Sequence, residues 1–263
     1  MTRLHVSLRV PVGRPLPALA DFVARCEAAG FDGVGIHDHP SSGRDAYVAL
    51  ALAARATRRL ALAVGFGPTE TRLRNRSASP TPVFLLAAGP RMTELAGEVA
   101  DGAFLMVGLD AAAIRAARGH LAEGARRAGR SLTGFPVVFV VTLGLGADAG
   151  VGARWVRSWF APGQPFLAYP SASNLRWVAE AGFPLSEPLD PAAIPEEQAR
   201  RIADAFGLFG PPERCAERLL QARDEAGVEE VFLFPAHDLA GGYEMPEAEM
   251  EAFERIIRPR LGG

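Results

Sequence analysis

His37, Asp38 and His39 close a short apolar run that begins at Gly33. An imidazole beside a carboxylate titrates near neutral pH and can give or take a proton. A plainer role is open to the same residues: Asp38 caps the following turn and His39 packs against it. Strand neighbours point to opposite faces, so only one of His37 and Asp38 faces the mouth of a sheet. His37 and His39 are also spaced as a metal pair. A metal centre needs further ligands, however, and the chain has five histidines and no lysine to bridge a second ion, so no metal is expected.

Other chemistry-bearing residues fall at the ends of apolar runs. Ala87, Ala88, Gly89 and Pro90, followed by Arg91, put small side chains and a helix amino terminus where a strand ends. Small side chains let an anion approach the backbone, and the free amides and helix dipole favour it. A tight packing turn would use the same composition. Arg9 closes the first strand, as an ion-pair partner or a substrate contact. His237 and Asp238 follow the last strand, at the expected mouth or in a solvated loop. Trp155, Trp159, Phe160 and Trp177 would line an apolar substrate cavity or form the private core of a lid.

The elements that must position these residues follow from periodicity. Gly33 to Ile36 shows no polar/apolar alternation, the pattern of a parallel strand covered on both faces. Polar groups after such a run lie at the carboxyl end of the sheet, where α/β proteins place their chemistry. Further strands are expected over 4–10, 60–66, 83–87, 103–107, 136–145 and 231–234. Pro17 opens a helix with Leu19, Phe22, Val23 and Cys26 on one face and Gly30 as a left-handed stop. Asp45 caps a helix to Thr57, Asp110 caps one to Ala128, and Gly227 ends the one that Pro212 begins. Others cover 91–99 and 247–257. Glu27 to Val34 is echoed by Glu225 to Val231 and more loosely by Gly97 to Phe104, and a repeated unit of helix, glycine stop and buried strand is the mark of a right-handed α/β barrel.

The fold class expected is therefore α/β, a TIM-like barrel that is incomplete, with seven strands where closure wants eight. Residues 1–263 are expected to form one domain, with a helical, aromatic-rich insertion at 146–209. With 49% hydrophobic residues and a net charge of -2, the chain has no basic surface for nucleic acid or an anionic membrane. Its longest apolar run, 135–145, is short of the ~20 residues that span a bilayer. The start lacks a signal-peptide pattern, and Cys26 and Cys215 read as buried thiols, so a cytoplasmic protein is expected. The helix from Ala46 to Thr57 is apolar nearly all round; it packs within one subunit or makes a homodimer.

With its elements in this order, the chain resembles the luciferase-like monooxygenase superfamily, and within it the coenzyme F420-dependent, methylenetetrahydromethanopterin reductase-like branch. Three stretches carry the likeness: Ala28 to Val34 running on to Asp38-His39; Asp45 through Leu60 to Gly65, ending near Thr71-Arg72; and Pro82 through Arg91 to Gly97-Glu98 and Asp101-Gly102. Gly210 to Glu213 and Ala226 to Val228 add to it. The resemblance implies that Asp38 and His39 face the active site, that the turn Ala87 to Pro90 holds the cofactor phosphate with Arg91 assisting, and that Gly65-Phe66 supports the cofactor ring. It also shows a departure. Relatives place a helix, a fourth strand and further helix between the segments that here end at Arg72 and begin at Pro82. Either the third strand pairs with the next, or the Arg-rich loop or a partner chain covers the gap.

The function implied is an oxidoreductase passing hydride between coenzyme F420 and an apolar organic small molecule. The alternatives are an FMN-dependent monooxygenase of the same fold, and a cofactor-free member acting as a binding protein or a non-redox cyclase or isomerase.

Overall fold

The computed structural model describes residues 3–13, 15–38, 45–66, 82–148, 150–159, 172–185, 190, 193–236 and 244–262. Its first half runs β1 (His5–Val10), α1 (Leu16–Ala29), β2 (Gly33–Asp38), α2 (Ala46–Ala56), β3 (Ala61–Phe66), β4 (Phe84–Ala87), α3 (Pro90–Val99), β5 (Gly102–Leu105) and α4 (Ala111–Arg127). The second half runs β6 (Val137–Leu145), α5 (Gly150–Trp159), α6 (Ala172–Glu180), α7 (Glu196–Phe206), β7 (Gly207–Gly210), α8 (Pro212–Ala226), β8 (Glu230–Pro235) and α9 (Glu247–Ala252). Helix α9 continues through a wider turn, Phe253–Ile257, to Arg260. Among the described residues no helix is long and apolar enough to cross a membrane.

Local chemistry sets most boundaries. The Asp45 carboxylate accepts the Val48 amide at 2.8 Å, and that of Asp110 accepts the amides of Ala112 and Ala113 at 2.8 and 3.0 Å, so α2 and α4 start where those side chains stand. Helices α1 and α8 stop at Gly30 and Gly227, whose φ angles of 90° and 61° are left-handed and cost a glycine little. The strands that follow are entered in register. Asp32 accepts the Val6 amide at 2.9 Å, which ties the start of β2 to β1, and Glu27 accepts the amides of Arg59 and Leu60 at 2.8 and 2.9 Å ahead of β3.

Among the described residues all strands are parallel, and seven form a continuous path in the order β3-β2-β1-β8-β6-β5-β4 that curls into a half-barrel. Among the described residues the sheet's ends are β3 and β4, and these two strands do not pair with each other. An eighth strand, β7, joins off this path. Residues 137–139 of β6 pair with β5 and residues 142–145 with β7. Thr142 and Leu143 are also paired with β8, so β7 lies on the β5 edge, in line with it. The Leu109 and Asp110 amides donate to the Ala205 carbonyl at 2.7 and 3.1 Å and join the exit of β5 to the entry of β7.

Two apolar clusters form, one on each face of the sheet. The larger lies between the strands and their helices and includes Leu8, Ile36, Phe22, Leu105, Val141 and Leu233. The smaller fills the inside of the curl with Val138, Val140 and Phe232, against Phe84, Phe104 and Phe234. Its rings lie on glycines: a Cβ at Gly35 would stand 2.6 Å from the Phe232 ring, and one at Gly102 2.4 Å from that of Phe84. Cys26 and Cys215 are buried free thiols, and burial pushes each up to about 12, which leaves them protonated and unreactive.

Helices α3 and α4 touch through two glycines. A Cβ on Gly97 would lie 2.1 Å from the Leu121 carbonyl oxygen, and one on Gly124 1.8 Å from that of Glu94. Gly119 of α4 has nothing within 4 Å. Gly97→Ala and Gly124→Ala should therefore each lose roughly 1–3 kcal/mol by overpacking against backbone, while Gly119→Ala should gain up to about 1 kcal/mol from helix propensity. Urea melts of the three variants check this; equal behaviour would remove the close contact from the account.

Candidate active site

The β4–α3 turn is fixed from several directions. The Ala87 carbonyl accepts from the Met106 amide at 2.9 Å, beside β5. The Ala88 carbonyl accepts from the Trp177 indole Nε1–H at 3.0 Å. The Gly89 carbonyl accepts from both the Thr93 amide at 3.0 Å and the Thr93 Oγ1–H at 2.9 Å, and Thr93 is fully buried. Pro90 sets the first helical φ and has no amide to satisfy. Helix geometry leaves the first amides of α3 without intrahelical acceptors, and their dipole favours an anion. Ala87 and Gly89 are buried, Ala88 and Pro90 half-buried, and Arg91 is exposed beside them. The turn has the donors and the small side chains that a phosphate group needs.

Among the described residues Trp177 is the largest fully buried side chain. It sits among the apolar residues of the main core, with His120 of α4 edge-on to its ring at 5.9 Å and 81°. An enclosed indole N–H without an acceptor would cost about 1–3 kcal/mol, so the bond to Ala88 holds both partners in place. His120 is in turn 2.9 Å from a Glu94 carboxylate oxygen of α3 through Nδ1, and Arg127 reaches the other oxygen at 3.1 Å. Nothing in the local sequence sets His120 or Glu94 apart. The glycines inside two helix patterns, Gly97 and Gly124, were the available sign that α3 and α4 approach closely enough to bring such side chains together.

The other group of candidate residues is at the opposite margin of the sheet. His37 pairs in register with Gly65 and Asp38 with Phe66, so the carboxyl ends of β2 and β3 stand side by side. The side chains of these four residues lie outside the description, as do His39, Phe160, His237, Asp238 and the side chain of Trp159. Arg9 pairs with Gly35 near the end of β1; it is 5% exposed, with its guanidinium carbon 4.8 Å from the centroid of Phe234 on β8. That stacking favours the cation and keeps it near the carboxyl end. Trp155, half-buried on α5, packs on Phe209 of β7 at 5.0 Å. Trp155 and Trp177 thus both have partners inside the fold, one under the helical region and one at the turn.

The hydrogen bond from His120, and after it that from Arg127, hold the Glu94 carboxyl below the usual range. A carboxyl lowered in the folded state stabilises above its unfolded pKa, near 4.3, and that contribution is lost as pH falls through the folded value. Glu94→Gln should be less stable than the parent at pH 7, and its melting temperature should fall less steeply on acidification below about pH 4.5. Thermal melts from pH 3 to pH 7 read both effects; an unchanged acid slope would assign the loss to other carboxylates.

A family model described as luciferase-like monooxygenase matches residues 66–230, more than half of the chain. No match is found among curated proteins. Solved structures align over their full length. Coenzyme F420-dependent tetrahydromethanopterin reductase from Methanopyrus kandleri is 15% identical with a TM-score of 0.63, covering 98% of this chain and 99% of that one. An F420-dependent secondary alcohol dehydrogenase in complex with an F420-acetone adduct is 13% identical, TM-score 0.64, covering 99% of each. The oxygenating constituent of 3,6-diketocamphane monooxygenase from Pseudomonas putida, in complex with FMN, is 15% identical, TM-score 0.59, covering 100% of this chain and 99% of that one. At these identities the likeness is one of fold.

Proposed function

The chain belongs to the luciferase-like monooxygenase family, and from that premise we propose that it is an oxidoreductase passing hydride between coenzyme F420 and an apolar organic substrate. The observation that carries this reading is the β4–α3 turn, whose three successive carbonyls are tethered by Met106, Trp177 and Thr93 at a helix amino terminus. Ala87, Ala88, Gly89 and Pro90 would hold the phosphate, with the exposed Arg91 guanidinium adding charge. Gly65 and Phe66 would support the ring. When bound, the deazaflavin supplies or takes the hydride.

The protein's own part is to orient, to exclude water and to move a proton. Asp38 and His39 at the end of β2 would carry that proton, since an imidazole coupled to a carboxylate exchanges one near neutral pH. Arg9, His37, Trp155, Trp159, Trp177 and His237 were the substrate-contact candidates. Of these, Arg9 best keeps the role, as a buried cation near the carboxyl end over an aromatic ring. An apolar substrate is favoured by the aromatic interior of the curl, Phe84, Phe104, Phe232 and Phe234. A homodimer belongs to the same reading, through the face of α2 that exposes Tyr47 and Val48.

Two alternatives have an observation each. The fold is shared with a monooxygenase solved with FMN, and the same turn suits that phosphate. That β3 and β4 do not pair among the described residues favours a protein that has given up its cofactor.

Fluorescence titration of the purified protein with coenzyme F420 and with FMN separates the three. The expected result is saturable binding of F420, weaker binding of FMN, and an Arg91→Ala variant that folds normally and binds F420 roughly 5-fold more weakly, the loss of about 1 kcal/mol. Tight FMN binding with substrate- and oxygen-dependent turnover would move the assignment to the monooxygenase. No binding of either would leave the cofactor-free reading.

A further inference from the structure

We infer that Trp177 is a positioning residue for the phosphate end of the cofactor, acting through the Ala88–Gly89 peptide; this rests on the reading that the β4–α3 turn takes a phosphorylated flavin or deazaflavin. A peptide unit is planar, and its carbonyl and amide point in opposite directions. The indole N–H bonded to the Ala88 carbonyl at 3.0 Å therefore fixes where the Gly89 amide points, away from α6. The next carbonyl is fixed independently by Thr93 and the preceding one by Met106. Ala88 is the one whose tether comes from a distant part of the chain, 89 residues on, in the helical region after β6.

Trp177 is itself located by its surroundings. Its ring is fully buried, and His120 meets it edge-on. His120 is hydrogen-bonded to Glu94, which belongs to α3, the helix whose amino terminus the turn presents. The indole thus bears on the turn at one end and, through His120 and Glu94, on the body of the same helix at the other. An anion-binding turn works by having its amides aimed before the ligand arrives, because reorganisation would subtract from affinity. The arrangement makes α6 a support for cofactor binding.

The role separates from simple core packing by its dependence on the phosphate. Trp177→Phe keeps an aromatic ring and removes only the N–H and one ring of the indole. Val178→Ala, in the neighbouring and equally buried position, removes core volume without touching the turn. Dissociation constants would be measured by fluorescence for FMN against riboflavin, and for F420 against its deazaflavin–ribitol core, which lacks the phosphate. In the wild-type protein the phosphorylated form of the cofactor should bind more tightly. Trp177→Phe should weaken the phosphorylated form about tenfold and leave the dephosphorylated form unchanged, while Val178→Ala should leave the ratio as it was.

Should Trp177→Phe fail to fold, the indole 15N–1H resonance of Trp177 in the wild-type protein, assigned by replacing the other two tryptophans, supplies the same comparison. It should shift with FMN or F420 and stay with their dephosphorylated forms. Equal weakening of both forms, an unchanged ratio, or a resonance indifferent to the phosphate would overturn the positioning role while leaving the oxidoreductase reading in place. Failure of the wild-type protein to bind any of the four ligands would remove both.

Discussion

A four-residue edge strand carries the turn on which the candidate site depends. Among the described residues β4 pairs with β5 and with no strand on its other side, so the ladder that would hold a central strand is half present. Val83 and Leu86 are more than half exposed, at 59% and 55%, as befits a margin. The stiffness comes instead from behind. Gly97 and Gly124 let α3 and α4 meet backbone to backbone, and Thr93 and Trp177 hold successive carbonyls of the turn. These contacts hold the turn where the ladder is one-sided among the described residues.

The candidate residues lie at two margins of the sheet. The small-residue turn lies at the end of β4, and the paired ends of β2 and β3, with His37, Asp38, Gly65 and Phe66, lie at the other. Between them the floor of the curl is packed with aromatic rings that rest on glycines. A planar cofactor anchored by its phosphate at one margin would lie over this floor toward the other. Buried Arg9, stacked on Phe234, sets a positive charge near the carboxyl end of β1. On the proposed reading, proton handling and phosphate binding would fall to different strands.

What the sequence made legible was local. Asp45, Asp110, Gly30 and Gly227 each act within a few residues of themselves, and the elements they bound lie where the pattern put them. The incompleteness of the barrel was legible too, since it is a matter of chain length between Arg72 and Pro82. The short β7 was not: Gly207-Leu208-Phe209-Gly210 offers two apolar side chains and no alternation, and its pairing depends on β6 being long enough to serve β5 and β7 in succession. Nor was the Glu94–His120–Trp177–Ala88 chain, whose members come from α3, α4, α6 and the end of β4. Local patterns carry no record of such contacts. The tryptophans read as cavity or lid-core residues from composition alone, and the partners of Trp155 and Trp177 come from distant parts of the chain.

The central claim is that a turn held rigid from behind receives a phosphorylated cofactor at the start of α3. Hydrogen–deuterium exchange of the backbone amides, with and without saturating F420 or FMN, addresses it most directly. The expected result is slowed exchange concentrated at Gly89, Arg91 and Met92, with the middle of α3 unchanged. Saturable binding that left those amides exchanging at their free rate would contradict the account.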